Sequence, residues 1–372
     1  MALRILATAD LHLGMRFSKY PELQARLAEA RFAALERLVA RANAEGCGLL
    51  VVAGDLFERT SLPQREIQRA AEALNGFEGQ VAAVLPGNHD YYAGQTGSLW
   101  KSFREKAGDR VLLLTEPRVY DLEHYGLAAR LYPGPCTDKH SRENALGWLA
   151  GGAAAGSAQS AEGSLAIGVA HGAVEGLSPD AQGEYYRMRR AELESAGLDF
   201  WIVGHTHRPL TDGDTRLFIP GTPEPDGFDC AHEGGVLLLE AAGGKVRARR
   251  LDTGKFRFRR ETLELAEGQE PAAVLGRFRA PEYANTLLRL TLRGLLDAEA
   301  LASAREEASR LRQAVAWLEA DDTELAERIT PERVEAELAR GSFSWLLLKR
   351  LLEQGDPEAL QQAYALLREV RG

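Results

Sequence analysis

The sequence predicts an α/β fold followed by a smaller C-terminal α+β domain. Three observations predict it. Apolar, β-branched runs alternate with stretches of helical period through the first ninety residues. Five apolar runs stop abruptly at Asp, Asn or His. Near Thr253–Phe256 the pattern changes to one alternating strand and several short, capped helices, which divides the chain into 1–254 and 255–372.

The elements follow in order. Leu3–Ala9 reads as a strand running into Asp10-Leu11-His12. Leu23, Leu27, Ala30, Ala34, Leu38 and Ala42 recur at helical spacing and predict an amphipathic helix over Pro21–Ala44. Leu49–Ala53 runs into Gly54-Asp55, Gln64–Leu74 reads as a second helix, and Val81–Leu85 runs into Pro86-Gly87-Asn88-His89-Asp90. Strand, helix, strand, helix, strand is a layer of parallel strands. Val111–Leu114, Arg118–Asp121 and Leu127–Leu131 are expected as short strands without a helical crossover. The Ala/Gly/Ser-rich stretch 148–163 reads as a surface loop after a short helix. Ile167–Ala170 runs into His171-Gly172, and Phe200–Val203 into Gly204-His205-Thr206-His207. Arg216–Ile219, Gly235–Leu239 and Lys245–Leu251 are expected to be antiparallel, with Gly243-Gly244 a hairpin signal. Buried strands that each deliver a polar residue at the C-terminal tip build a site at one sheet edge.

In the second domain, Thr286, Leu288, Leu290 and Leu292 alternate with Arg289, Thr291 and Arg293 to give one strand. From Asp297 the chain turns helical, with Leu301, Ala304, Ala308, Leu311 and Val315 on one stripe. Thr330-Pro331 and Asp356-Pro357 each place a cap before a proline in a first helical turn. Gly341 and Gly355 are expected to stop the two preceding helices. Trp345, Leu348 and Leu352 form an apolar stripe that suits a partner coiled coil or the domain's own core.

The run-ending residues carry the chemistry. Asp10, His12, Asp55, Asn88, His171, His205 and His207 offer four imidazoles, two carboxylates and one amide, with no thiolate. That set suits Mn²⁺, Fe²⁺, Zn²⁺ or Co²⁺. A catalytic ion keeps about three protein ligands and an open position, so these donors are too many for one ion. With one shared carboxylate they fill two sites. Two ions about 3.5–4 Å apart can hold a hydroxide and clamp a phosphate for in-line displacement.

The ordered set Asp-x-His, Gly-Asp, Gly-Asn-His-Asp, His, Gly-His-x-His resembles the calcineurin-like metallophosphoesterases over Leu3–Leu251. The resemblance implies a four-layer αββα sandwich. It implies one metal on Asp10, His12, Asp55 and His207, and a second on Asp55, Asn88, His171 and His205, with Asp55 bridging. His89 is implied to face the substrate phosphate, stabilising the transition state or protonating the leaving oxygen. Asp90 suits either the orientation of that loop or a turn or helix cap.

Within the family, Gly54-Asp55-Leu56-Phe57-Glu58 followed by Ser61-Leu62-Pro63 resembles the SbcD/YhaO exonuclease branch. Ser/Thr phosphatases carry Asp-Arg-Gly after this aspartate and end the third motif with Glu, where this chain has Glu58-Arg59-Thr60 and Asp90. Lipid A pathway hydrolases place Arg at His89. The stretch Ile219–Pro223 and Pro225–Asp229 is similar to a loop that closes the nuclease site. The branch implies a manganese-dependent DNA nuclease, with Fe²⁺, Zn²⁺ or Co²⁺ as alternative metals. It implies that 255–372 caps the site and docks on an SMC-like coiled-coil ATPase, and that the chain forms a homodimer. The alternative function is a phosphodiesterase or phosphatase acting on nucleotides or other small phosphoesters.

Composition sets outer bounds. No window approaches the roughly 20 apolar residues of a membrane span. The first strand begins at Leu3, leaving no room for a signal peptide, and Cys47, Cys136 and Cys230 show no paired spacing; both point to the cytoplasm. A net charge of −9 is unlike a non-specific DNA binder. Against it, Lys245, Arg247, Arg249, Arg250, Lys255, Arg257, Arg259 and Arg260 crowd around Asp252 alone, with Phe256 and Phe258 alternating. A phosphate-backbone contact and a solvated strand face both fit that stretch.

Overall fold

The structure, a computed structural model, describes residues 2–94, 97–149, 164–178, 180, 182–210, 216–230 and 232–371. The chain divides into two compact units, Met1–Phe258 and Arg259–Gly372. The division falls after Phe258 rather than after Gly254. Phe258 packs edge-on against Tyr20 and Phe228, and the Glu224 carboxylate accepts the amides of Lys255 and Phe256.

The first unit is built on two sheets. One has strand order β11-β10-β1-β2-β3-β4. Its strands are β1 (Leu3–Thr8), β2 (Leu49–Ala53), β3 (Val81–Leu85), β4 (Val111–Leu113), β10 (Gly235–Ala242) and β11 (Lys245–Asp252). Strands β1 to β4 are parallel; β10 adds antiparallel to β1, and β11 antiparallel to β10. The β10–β11 turn is Gly243-Gly244, both at positive φ (56° and 73°), as a two-residue hairpin requires. The other sheet has the order β5-β6-β7-β8-β9: Tyr120–Asp121, Ala129–Gly134, Leu165–His171, Phe200–Gly204 and Leu217–Phe218. Here β6 to β9 are parallel and β5 is antiparallel.

Facing sides of the two sheets share one core, which includes Ile5, Val51, Val81, Ile167, Phe200, Ile202 and Leu237. The outer face of the first sheet packs on α1 (Gln24–Ala44), α2 (Gln64–Asn75) and α3 (Ser98–Arg104). The outer face of the second packs on the helix Arg190–Ser195 through Leu193, Trp201 and Tyr132. Helix, sheet, sheet, helix is the four-layer α/β arrangement. Phe200 is fully buried between the sheets and meets Phe218 edge-on. Phe200→Ala is expected to cost about 3–5 kcal/mol, read as a lower denaturant midpoint for unfolding of this unit.

Two expectations need correction, and one helix adds to them. Leu217–Phe218 pairs parallel to β8, not antiparallel. A parallel pair needs a long crossover, and the stretch between Gly204 and Leu217 supplies it; Leu210 bridges antiparallel to Ile219. Helix α3 was not expected, because seven residues are too few to show a helical period. It nonetheless buries Leu99, Trp100 and Phe103. Gly341 does not stop a helix. The helix Pro331–Glu337 ends earlier, at an extended Leu338. Residues 150–163, most of the expected Ala/Gly/Ser-rich loop, lie outside the described residues.

The second unit holds a three-stranded sheet, β12 (Arg257–Glu264), β13 (Thr286–Leu296) and β14 (Trp317–Glu327). The helix Ala298–Arg310, capped by the Asp297 carboxylate, connects the parallel strands β13 and β14. Its core joins Leu288, Leu290, Leu301, Ala304 and Leu311. Helices Pro331–Glu337, Phe343–Gln354 and Pro357–Arg371 form a separate cluster around Trp345, Leu348, Leu360 and Tyr364. The Trp345 and Leu348 stripe is therefore core, and Gly355, left-handed at φ 70°, ends its helix.

Three of the eight basic residues in the stretch pair with the chain's own acids. Arg249 pairs with Glu45 at 3.0 Å, Arg250 with Asp252 at 3.5 Å and Arg257 with Glu233 at 3.1 Å. Exposed pairs of this kind contribute little stability, but they occupy the guanidinium groups a phosphate would need.

Candidate metal centre

The C-terminal tips of β1, β2 and β3 from one sheet, and of β7 and β8 from the other, meet at one rim. All eight sequence-predicted site residues come together there. Asp10, His12, Asp55, Asn88 and His171 are buried, whereas His89 and His207 are each 33 % exposed at the side chain. His89 and His207 therefore form the open side.

The strands end in unusual backbone. Asp10, His12, Asp55 and His205 all have left-handed φ, at 55°, 46°, 52° and 86°. Such a conformation costs a non-glycine residue of order 1–3 kcal/mol and persists only where neighbours enforce it. Here the Asp10 amide donates to the Gly54 carbonyl (3.2 Å), the His12 amide to the Asp55 carbonyl (3.0 Å) and the His205 amide to the Asp10 carboxylate (3.0 Å). The motif glycines allow close approach between the strands. A Cβ on Gly54 would lie 2.0 Å from His171 Nδ1, and one on Gly87 would lie 2.2 Å from Asp55 Oδ1.

The side chains leave acceptors facing one another. His12 Nδ1 lies 2.9 Å from the Glu58 carboxylate, and His207 Nδ1 lies 2.8 Å from Asp226 Oδ2. With a proton on each Nδ1, the two Nε2 lone pairs stand 3.1 Å apart. His171 Nδ1 faces the Ala53 carbonyl at 2.9 Å, so its Nε2 points at Asp55 Oδ2 (3.2 Å) and Asn88 Oδ1 (3.1 Å). Asn88 Oδ1 also meets His205 Nδ1 at 3.2 Å, while the buried Asn88 amide nitrogen has no partner. At each convergence a positive charge has to lie between the acceptors: a proton in the bare protein, a cation in the loaded one. Asp55 Oδ2 also lies 3.6 Å from His12 Nε2, so one oxygen faces both halves of the cluster.

The electrostatics agree with a demand for positive charge. Burial alone would raise the Asp55 carboxyl; the His171 imidazole outweighs it and holds the group well below the usual carboxylate range. In return, burial lowers His171 but the Asp55 charge lifts it to about 9. Burial and the nearby His171 push His205 down to about 3, leaving a neutral donor nitrogen. Burial and the Asp55 charge push the Asp90 carboxyl up to about 8. Asp90 accepts the amides of Phe57 (2.9 Å) and Gly87 (2.7 Å), and its carbonyl accepts the Trp100 indole N–H. It fastens the loop that carries Asn88 and His89. His89 donates its amide to Asp55 Oδ1 (2.9 Å) and sets Nδ1 3.1 Å from the Glu58 carbonyl.

Sequence reasoning missed the supporting roles of Glu58, Asp226 and Arg31. Arg31 lies four residues after Leu27 and three before Ala34, so a charge on the apolar stripe of α1 was the available signal. For Glu58 and Asp226, only their proximity in sequence to Asp55 and to the loop after Ile219 pointed toward the site.

A family model for the calcineurin-like phosphoesterases matches residues 3–209, more than half of the chain. Every one of the eight site positions falls inside that match. The chain belongs to the calcineurin-like phosphoesterase family. Such phosphoesterases typically bind two divalent metals, and the donor set here fits them. Asp10, His12 and His207 form one group of potential ligand atoms within 4.8 Å, and Asp10, Asp55 and His171 form another. No curated protein matches the chain. Among solved structures, TT1561 of Thermus thermophilus is similar at 13 % identity and a TM-score of 0.43, covering 67 % of this chain and 99 % of its own. A putative 5′-nucleotidase from Staphylococcus aureus is similar at 15 % identity and a TM-score of 0.45, over 68 % of this chain and 55 % of its own. A dimetal phosphatase from Danio rerio is similar at 12 % identity and a TM-score of 0.36, over 68 % and 99 %. Among the described residues of this phosphoesterase, no helix is long and apolar enough to cross a membrane.

Proposed function

We propose that this phosphoesterase is a two-metal DNA nuclease of the SbcD/YhaO type. Asp10, His12, Asp55 and His207 would hold one ion; Asp55, Asn88, His171 and His205 would hold the other. Two divalent ions bound there, manganese first among them, supply the Lewis acidity that polarises a phosphoryl oxygen and acidifies a water. Asp55 balances charge for both positions. Asp90 and the Trp100 indole keep the Asn88-His89 loop in place. His89, with its Nδ1–H donated to the Glu58 carbonyl, gives the leaving oxygen the Nε2 proton of its imidazolium form and is left neutral.

The observation that carries the DNA reading over a small-molecule one is the second compact unit, Arg259–Gly372. All site residues precede it, and a small phosphoester needs no such unit to reach the metals. In this reading the unit caps the site over duplex DNA. Phe343, Leu346, Leu366 and Val370 on its last two helices are exposed apolar residues, which supports docking to an SMC-like coiled-coil ATPase. A homodimer in the cytoplasm completes the reading.

The full-length protein is assayed with Mn²⁺, Mg²⁺ or chelator against labelled double- and single-stranded DNA and a chromogenic phosphodiester. Degradation of DNA with Mn²⁺, abolished by chelator, is the expected result. Hydrolysis of the chromogenic ester with DNA left intact would move the function to nucleotides or other small phosphoesters.

A further inference from the structure

Arg31 is 1 % exposed, the largest of the fully buried side chains, and belongs to none of the site motifs. A buried guanidinium needs its charge met, and here two of its nitrogens find acceptors while the buried Nε has no hydrogen-bond partner. Its Nη1 donates to the Glu224 carbonyl at 2.8 Å, and its Nη2 donates to Asp226 Oδ2 at 3.4 Å. That same oxygen lies 2.8 Å from His207 Nδ1. The other Asp226 oxygen accepts the Cys230 thiol at 3.0 Å. His207 is fixed at its backbone as well, since His232 Nε2 lies 2.6 Å from the His207 carbonyl. His207, Asp226 and Cys230 gather within 4.8 Å and have the look of a third metal site. Arg31 argues against that use, because it already supplies the positive charge a further ion would bring.

We propose that Asp226, anchored by Arg31, is a positioning residue for His207 and sets how tightly the ion at His207 is held. The inference rests on the reading of His207 as a metal ligand. The carboxylate fixes the Nδ1–H tautomer, so Nε2 always faces Asp10 and His12. Its charge also makes Nε2 the better donor. The guanidinium fixes the orientation of the carboxylate from behind, so no rotation of Asp226 is needed when the ion arrives. Loss of a carboxylate behind a histidine ligand typically costs 10–100-fold in metal affinity.

The test is a Co²⁺ titration of the full chain, followed by visible absorption and by elemental analysis, with thermal melting in chelator beside it. Wild type is expected to take two equivalents. Asp226→Asn keeps a hydrogen-bond acceptor but loses the charge, and is expected to bind one of the two ions 10–100-fold more weakly. Because it also leaves Arg31 without its counter-charge, its melting temperature falls. The double variant Arg31→Met, Asp226→Asn removes that penalty, and should regain melting temperature while keeping the weakened site. A double variant that regains wild-type affinity would show that Asp226 acts through fold stability alone, and would overturn the inference. Equal weakening of both ions, or unchanged affinity in Asp226→Asn, would overturn it too. A wild-type chain that takes fewer than two equivalents overturns the ligand reading, and the inference with it.

Discussion

Asp55→Asn is expected to leave the protein with less metal than any other single ligand change, and with no measurable turnover. One oxygen of Asp55 lies 3.2 Å from His171 Nε2 and 3.6 Å from His12 Nε2, and the residue is 1 % exposed. It is therefore a buried anion that both halves of the cluster see directly. Two divalent ions at the roughly 3.5–4 Å of a two-metal site repel each other strongly, and a buried carboxylate between them offsets that repulsion. Asparagine preserves the shape and can still accept the His89 amide, so the loop stays in place. Only the charge is lost. His12→Ala and His171→Ala each remove a donor from one position and should each retain an ion at the other. Metal per chain by elemental analysis and turnover on a chromogenic phosphodiester, measured for all three, decide the matter. Two ions and near wild-type rate in Asp55→Asn would remove Asp55 from the centre of the site.

His89→Leu is expected to slow hydrolysis by about 10²–10⁴-fold while the metal content stays at the wild-type level. The opposite pattern has a structural basis too, which makes the test sharp. The His89 ring meets the His12 ring edge-on at 4.8 Å, and His89, His12 and Asp55 offer ligand atoms within 4.8 Å of one another. What separates His89 from the others is that His12, His207, His171 and His205 each set a ring nitrogen within 3.2 Å of another donor of the cluster, whereas the His89 ring turns its Nδ1 to the Glu58 carbonyl at 3.1 Å. Leucine fills similar volume, and the backbone amide bond to Asp55 is unaffected by the substitution. Loss of metal in step with loss of rate would make His89 a ligand.

The first unit was legible because its strands are short, buried and stopped by polar residues with one task. Leu49–Ala53 and Val81–Leu85 are buried at every position, and the residues after them could only face a site. Register, by contrast, was hidden where strands are very short. Leu217–Phe218 carries two residues, too few for any period to declare its direction. Strand β14 was missed for another reason: Trp317–Glu327 is rich in acids, and only Leu318 and Leu325 are buried along it. Its alternation is also broken where the register slips opposite Thr291 and Arg293. At the site, side chains that project directly from motif turns could be named from sequence. Those acting at one remove could not. Arg31 and Asp226 are 195 residues apart, and only folding puts a guanidinium beside that carboxylate.

The two sheets do not merely face each other at the rim; they pinch. Packed sheets stand about 10 Å apart, yet a Cβ on Gly204 of β8 would fall 2.0 Å from the carbonyl oxygen of Ala53 in β2, and Gly54 presses on His171. The candidate donors are divided across that pinch, with Asp10, His12, Asp55 and Asn88 on one side and His171, His205 and His207 on the other. A pair of ions gripped from both sides would then behave as rivets. They would hold the sandwich shut at the end where the apolar core between its layers gives way to polar groups. In that view the mechanical integrity of the rim and the occupancy of the centre are one property, and an organism short of metal would hold a protein that is looser at that end as well as less active.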